Sequence, residues 1–103
     1  MTTDFSYHIT SPGRLHLTCR GRIDVLSVTR LRKRLTRIVD GPTDHLTVDL
    51  SEIDQLDAAG VAALAGAASA LRRRGATMVL HSPADDEIGR ILDYSGLAPL
   101  LAA

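Results

Sequence analysis

Residues 45–75 read HLTVDLSEIDQLDAAGVAALAGAASALRRRG, and the architecture turns on them. His45 to Leu50 alternates, with Leu46, Val48 and Leu50 on one side of an extended chain, which predicts a half-buried strand. Ser51 to Leu56 breaks the alternation and reads as a loop. From Asp57 the period changes: Val61, Leu64, Ala68 and Leu71 recur at helical spacing. Arg72-Arg73-Arg74 followed by Gly75 is the expected helix end, basic side chains in the last turn and a glycine just beyond. A short strand, Thr77 to His81, comes next. Strand, helix and strand in this order form a crossover unit, so the two strands should run parallel.

Working outward, Phe5, Tyr7 and Ile9 alternate with Ser6, His8 and Thr10, and Leu15, Leu17 and Cys19 alternate with His16, Thr18 and Arg20. Ser11-Pro12-Gly13 lies between them as a turn, so the N-terminus reads as a hairpin with one apolar face. Gly21-Arg22-Ile23-Asp24 ends the hairpin, and Asp24 is placed to cap the helix that carries Val28, Leu31, Leu35 and Ile38. Five basic side chains, Arg30, Arg32, Lys33, Arg34 and Arg37, cover much of the rest of that helix, and Asp40-Gly41-Pro42 stops it. Near the C-terminus, Ser82-Pro83-Ala84-Asp85 carries a capping-box pattern with Pro at the first helical position. Ile88, Ile91 and Leu92 form the stripe of that helix, Ser95-Gly96 closes it, and Leu97, Leu100 and Leu101 leave a last apolar turn. The predicted fold is α/β: a mixed sheet of about four strands with three to four helices mainly on one face, in a single domain over residues 1–103.

With 103 residues and 45% hydrophobic composition, one core can form without metal or disulfide. Twelve basic and twelve acidic residues give zero net charge, which argues against nucleic acid as the main partner. Eleven arginines accompany a single lysine, a bias that reads first as codon usage. The lone Cys19 asks for no oxidising compartment, and no apolar run approaches the roughly 20 residues of a membrane span. The Met1-Thr2-Thr3-Asp4 start lacks the basic and apolar pattern of a signal peptide, so a cytoplasmic protein without direct membrane binding is expected.

Catalytic chemistry finds little support. The glycines at 60, 66 and 75 lie in or just after a helix and form no phosphate loop. Cys19 is placed inward, where a thiol behaves as a small hydrophobe. His8 and His16 can meet across the hairpin, but two imidazoles without a third ligand do not make a metal site. Asp49 has the place of a receiver-domain phosphoacceptor, yet the acidic pair after the first strand and the downstream lysine are missing. No enzyme activity, cofactor or metal is therefore expected. Two features point instead to a partner. Asp40, Asp44, Asp49, Glu52, Asp54 and Asp57 fall within eighteen residues without a lysine or arginine among them. The second helix is smooth and uncharged, and with Val61, Leu64, Ala68 and Leu71 inward it leaves Ala59, Ala62, Ala63, Gly66 and Ala70 largely outside.

At these residues the chain resembles the STAS domain, the fold of bacterial anti-sigma-factor antagonists. Gly21-Arg22-Ile23-Asp24 is similar to the family's Gly-x-Leu/Ile-Asp before the first helix, and Val48-Asp49-Leu50-Ser51 to its central strand. Asp57-Ala58-Ala59-Gly60-Val61 sits where the family carries Asp-Ser-Ser/Ala-Gly-Leu/Val. Arg74-Gly75-Ala76 and Leu92-Asp93-Tyr94-Ser95-Gly96-Leu97 match its later landmarks. The resemblance implies a non-enzymatic regulator that docks on an anti-sigma factor, often a serine kinase of the GHKL type, and so frees a sigma factor for transcription. It implies docking roles for Asp24, Asp57 and Gly60, with Ala58 at the phosphoacceptor position; the acidic loop and the smooth side of the second helix extend the expected docking surface to Asp54, Ala59, Ala62 and Ala63. In the family the kinase phosphorylates the serine after the Asp and binding is lost; here Ala58 holds that position and has no hydroxyl. A subunit of an Mla-type lipid-transporting ABC complex and a scaffold component of a stress-signalling assembly are the alternatives. Either a monomer or a weak homodimer fits the alanine face.

Overall fold

A computed structural model describes residues 2–82 and 87–101. Strands β1 (Asp4–Ser11) and β2 (Arg14–Ile23) form an antiparallel hairpin. Its turn is Pro12-Gly13, where Gly13 takes a φ of 78° that side chains avoid. Helix α1 (Val28–Asp40) leads to β3 (His45–Leu56), helix α2 (Ala58–Arg73) to β4 (Thr77–His81), and α3 (Glu87–Tyr94) to a short 3₁₀ turn at Ala98–Leu100. The sheet order is β1-β2-β3-β4, with β2, β3 and β4 mutually parallel. Leu17, Cys19, Leu46, Val48, Leu50, Met78 and Leu80 are buried on one face beneath the helices. The other face is polar and open, as the alternation required: His8 and His16 stack there with ring centroids 5.4 Å apart, and His16 Nε2 lies 3.9 Å from Asp49 Oδ2. No cluster of three metal-ligating side chains occurs among the described residues.

The β3 strand is longer than its alternation suggested. Ser51 to Leu56 is strand, not loop, and its buried residues Leu50, Ile53 and Leu56 are three apart. Pairing with β2 shifts between Thr18 and Arg20 and again between Gly21 and Arg22. Each shift accommodates an additional β3 residue, and such bulges convert a period of two into a period of three.

Helix α1 starts later than expected. Its N-cap position is Ser27, while the Asp24 carboxylate accepts the Leu26 and Ser27 amides, both at 3.0 Å, and organises the turn before the helix. Ser27 Oγ donates to the Arg22 carbonyl at 2.7 Å, fastening that turn to the end of β2. In β1 only Phe5 is buried as predicted; Tyr7 and Ile9 are 38% and 68% exposed because the strand runs out from under α1. The capping residues assigned to α3 at 83–85 lie outside the described residues.

Arg74, just past α2, ties the helices together. Its Nη1 donates to the carbonyls of Val39 (2.7 Å) and Gly41 (2.8 Å), and its Nη2 to that of Thr43. One planar guanidinium thus takes up carbonyls left over at and beyond the end of α1.

Cys19 lies at the centre of the apolar layer and is fully buried. Burial, aided by the carboxylates of Asp49 and Asp4, pushes its thiol up to about 12. Native protein should therefore resist iodoacetamide at pH of about 8, where a free thiol reacts readily. Labelling followed by mass spectrometry should show modification only at the rate of unfolding, and rapid modification of the folded protein would contradict the buried placement.

Candidate functional site

The parallel strands β2 and β3 end side by side, with Ile23 opposite Leu56. Both chains leave the sheet there, and the Asp57 amide donates to the Ile23 carbonyl at 2.9 Å. This bond brings the Asp24 turn and the start of α2 to one end of the sheet. Asp57 occupies the N-cap position of α2 in an extended conformation. Its carboxylate makes no capping bond and instead accepts Gln55 Nε2 at 2.8 Å.

Gly60 fixes how closely α2 approaches. A Cβ at that position would stand 2.4 Å from Ile23 Cγ2 and 2.9 Å from Leu56 Cδ1, both belonging to buried side chains. The helix consequently buries Gly60, Leu64, Ala67 and Leu71, so the inward stripe differs from the Val61, Leu64, Ala68 and Leu71 expected. Ala59, Ala63 and Ala70, expected largely outside, are half-buried, and Ala63 and Ala70 line a groove between α1 and α2 with Leu35 and Val39. Ala58, Ala62 and Gly66 are the exposed small residues of the helix. Ala58 and Ala62, one turn apart, share a side of α2.

The structure adds two residues that sequence patterning passed over. Val25 and Leu26, between Asp24 and Ser27, are 74% and 88% exposed. They fall before the Val28–Ile38 stripe begins and are excluded from it, which is the signal that could have marked them. Among the expected docking residues, Asp24, Asp57, Ala58 and Ala62 gather at this end, and exposed Asp54 lies on the last turn of bulged strand before it. Gly60 is buried and acts from beneath; Ala59 and Ala63 are partly covered.

The acidic stretch does not form one patch. Asp44 stands at the opposite end, its amide donating to the Gly13 carbonyl in the hairpin turn at 2.8 Å. Asp49 is on the open face, and Glu52 pairs with Arg20 Nε at 3.0 Å. A strand advances about 3.3 Å per residue, enough to carry these carboxylates the length of the sheet. Partial burial opposes the charge on Asp49. Hydrogen bonds from the Ser51 hydroxyl (2.6 Å) and amide (2.9 Å), with His16 and His81 nearby, nonetheless hold its carboxyl below the usual carboxylate range.

Comparison with known proteins agrees with this geometry. The family model described as "Mlab, STAS domain" matches residues 9–102. The structure of the anti-sigma factor antagonist SpoIIAA in its unphosphorylated form superposes with a TM-score of 0.85 at 17% identity, covering 96% of this chain and 86% of that one. The Bacillus cell fate determinant SpoIIAA in the phosphorylated form gives 0.79 at 17% identity, with 96% and 89% covered. An anti-sigma factor antagonist from Mycobacterium paratuberculosis gives 0.79 at 20% identity, with 97% and 81% covered. At these identities the likeness is one of fold. No curated protein matches by sequence.

The two helix glycines should respond oppositely to alanine. Gly60→Ala forces a methyl into Ile23 and Leu56, and overpacking of this kind outweighs the gain in helix propensity, for a net loss of about 1–2 kcal/mol. Gly66→Ala meets nothing within 4 Å and should stabilise by about 0.5–1 kcal/mol. Urea denaturation of both variants checks the pair.

Proposed function

Because this chain belongs to the STAS domain family, we propose that it is a non-enzymatic docking protein of the cytoplasm, an anti-sigma-factor antagonist. It engages an anti-sigma factor, a serine kinase of the GHKL type, and thereby releases a sigma factor for transcription. The observation that carries this reading is the exposed apolar pair Val25 and Leu26 beside the start of α2, at the end of the sheet where Asp57 and Ala58 lie. Solved relatives of the same fold are described as anti-sigma factor antagonists, which supports the choice of partner class.

In this reading Val25 and Leu26 supply the apolar centre. Full burial of such side chains is worth roughly 1.5–3 kcal/mol each before the costs of association. Ala58 and Ala62 provide a flat helical shoulder against which partner side chains can lie. Asp24, Asp54 and Asp57 form the charged border that sets orientation and rejects wrong partners. Gly60, with Ala59 and Ala63 on its flanks, holds the helix at the height the surface needs.

The relative recorded in both phosphorylated and unphosphorylated forms is SpoIIAA. In this chain Ala58 stands first in α2, at the helix N-terminus, where exposed amides favour an anion, but it offers no oxygen to accept one. Binding is therefore constitutive with respect to this position. A hydroxyl restored there and phosphorylated would add about −1.5 to −2 charge beside Asp57, and repulsion with desolvation would break the contact without refolding.

Affinity capture of the tagged protein from its native lysate tests the reading. A GHKL-type anti-sigma kinase should be recovered, and Leu26→Glu should reduce its capture at least tenfold, an interface-centre effect, with the circular dichroism spectrum unchanged. Recovery of an ABC ATPase in its place would overturn the antagonist assignment.

With the kinase in hand, Ala58→Ser should gain one phosphate in the presence of ATP while wild type gains none. Absence of that mass increase, with the kinase active on another substrate, would remove kinase docking at this helix.

A further inference from the structure

Helix α1 carries four cations, Arg30, Lys33, Arg34 and Arg37, along the side that faces strand β1. Among the described residues none of them has a carboxylate within ion-pair distance. Arg30 stands in the first turn of α1, a turn without an acidic residue, so its charge is set against the helix dipole.

The cations border a cleft rather than open solvent. Arg30 lies over the buried Phe5 ring, its guanidinium carbon 5.7 Å from the centroid, and donates to the Thr3 carbonyl at 3.2 Å. Arg34 Nε donates to the Phe5 carbonyl at 3.2 Å. Arg37 continues into a second cleft of about 480 Å³, bordered by the exposed side chains of Tyr7 and Ile9 and by Leu15 and Pro42. Asp4 also lines the first cleft, and the two clefts meet at Arg37 and follow one another along β1, with four cations against one carboxylate at the Phe5 end and an apolar lining at the Ile9 end.

The clefts border an open strand edge. β1 is the outermost strand, paired with β2 alone, whereas the outer side of β4 is bridged by Leu101. Main-chain groups in an antiparallel pair alternate between partner and open side. The Phe5 carbonyl is taken by a side chain on the open side, so the groups of Tyr7 and Ile9, two and four residues on, point outward as well. The strand carries no lysine or proline. Arg34 covers the Phe5 carbonyl and the register shifts between Ile9 and Ser11, so the stretch open to an added strand is the one around Tyr7 and Ile9.

From these placements we infer that the β1 edge is a second docking site, separate from the Val25–Asp57 end, and that it takes an extended acidic segment of another protein as a fifth strand. Alternate side chains of that segment face α1, and those over the Phe5 half meet four cations, so they are Asp or Glu. The remaining side chains lie on the open face, which is polar. A second copy of this chain does not fit: pairing β1 with β1 sets two cationic α1 helices side by side.

The test uses a blocked octapeptide of alternating Glu and Thr, with a Lys/Thr peptide of equal length as control. In an amide-resolved NMR titration the Glu peptide should bind saturably and slow hydrogen exchange of the Tyr7 and Ile9 amides at least tenfold. Affinity should fall at least tenfold in the double variant Lys33→Glu, Arg37→Glu, whose replaced side chains make no hydrogen bond or ion pair among the described residues, and should weaken with salt. Equal binding of the Lys peptide overturns the inference, as does affinity retained by the double variant. Shifts confined to α1 with no protection of Tyr7 and Ile9, or association with phosphatidylglycerol vesicles and not with the peptide, also overturn it.

Discussion

The close approach of Gly60 to Ile23 and Leu56 is the contact on which the candidate docking end depends. Without a side chain at that position α2 settles directly onto the last residues of two parallel strands. The Asp57 amide then reaches the Ile23 carbonyl, and the chain leaving β2 is turned back by Asp24 and Ser27 toward α1. Val25 and Leu26 are displayed because that turn is closed by polar groups on either side of them. A methyl of extra height under the helix would disturb each of these links. The surface is therefore produced from below, by packing, and only secondarily by the residues that a partner would touch.

Much of this was legible in the sequence. Strand alternation, the Pro12-Gly13 turn, the α1 stripe and the arginine-glycine end of α2 each follow from local rules, and together they imply the mixed sheet with its helices on one face. The departures share a cause. Bulges in β3 replace the two-residue period with three, so a strand resembled a loop. The α2 stripe moved because alanine and glycine carry too little hydropathy to show which side is inward; Gly60 and α1 decided it. Tyr7 and Ile9 have the right period for a core but extend past the helix that would cover them. A pattern reports what a segment can bury, and tertiary cover decides what it does bury.

The candidate site was legible in a different measure. Asp57 and its neighbours were found through their resemblance to a family, with Ala58 as the visible departure. The acidic stretch, compact in sequence, is distributed over both ends and the open face of the sheet, because extended chain separates neighbours that a helix would keep together. Val25 and Leu26 escaped notice for the opposite reason: two apolar residues ahead of an amphipathic helix look like its first turn. Ser27, by taking the N-cap position, excludes them from it.

Arg74 gives the molecule a property beyond its contribution to packing. Its guanidinium grips the chain after α1 at one end of α2, while Gly60 seats the other end on the sheet. A helix held at both ends cannot slide or tilt to meet a visitor. Under the proposed function, a partner would meet a surface already set, with little ordering cost left on this side. Adaptation would then fall to the partner: a matching surface would be retained on collision, and a near match would find little that yields.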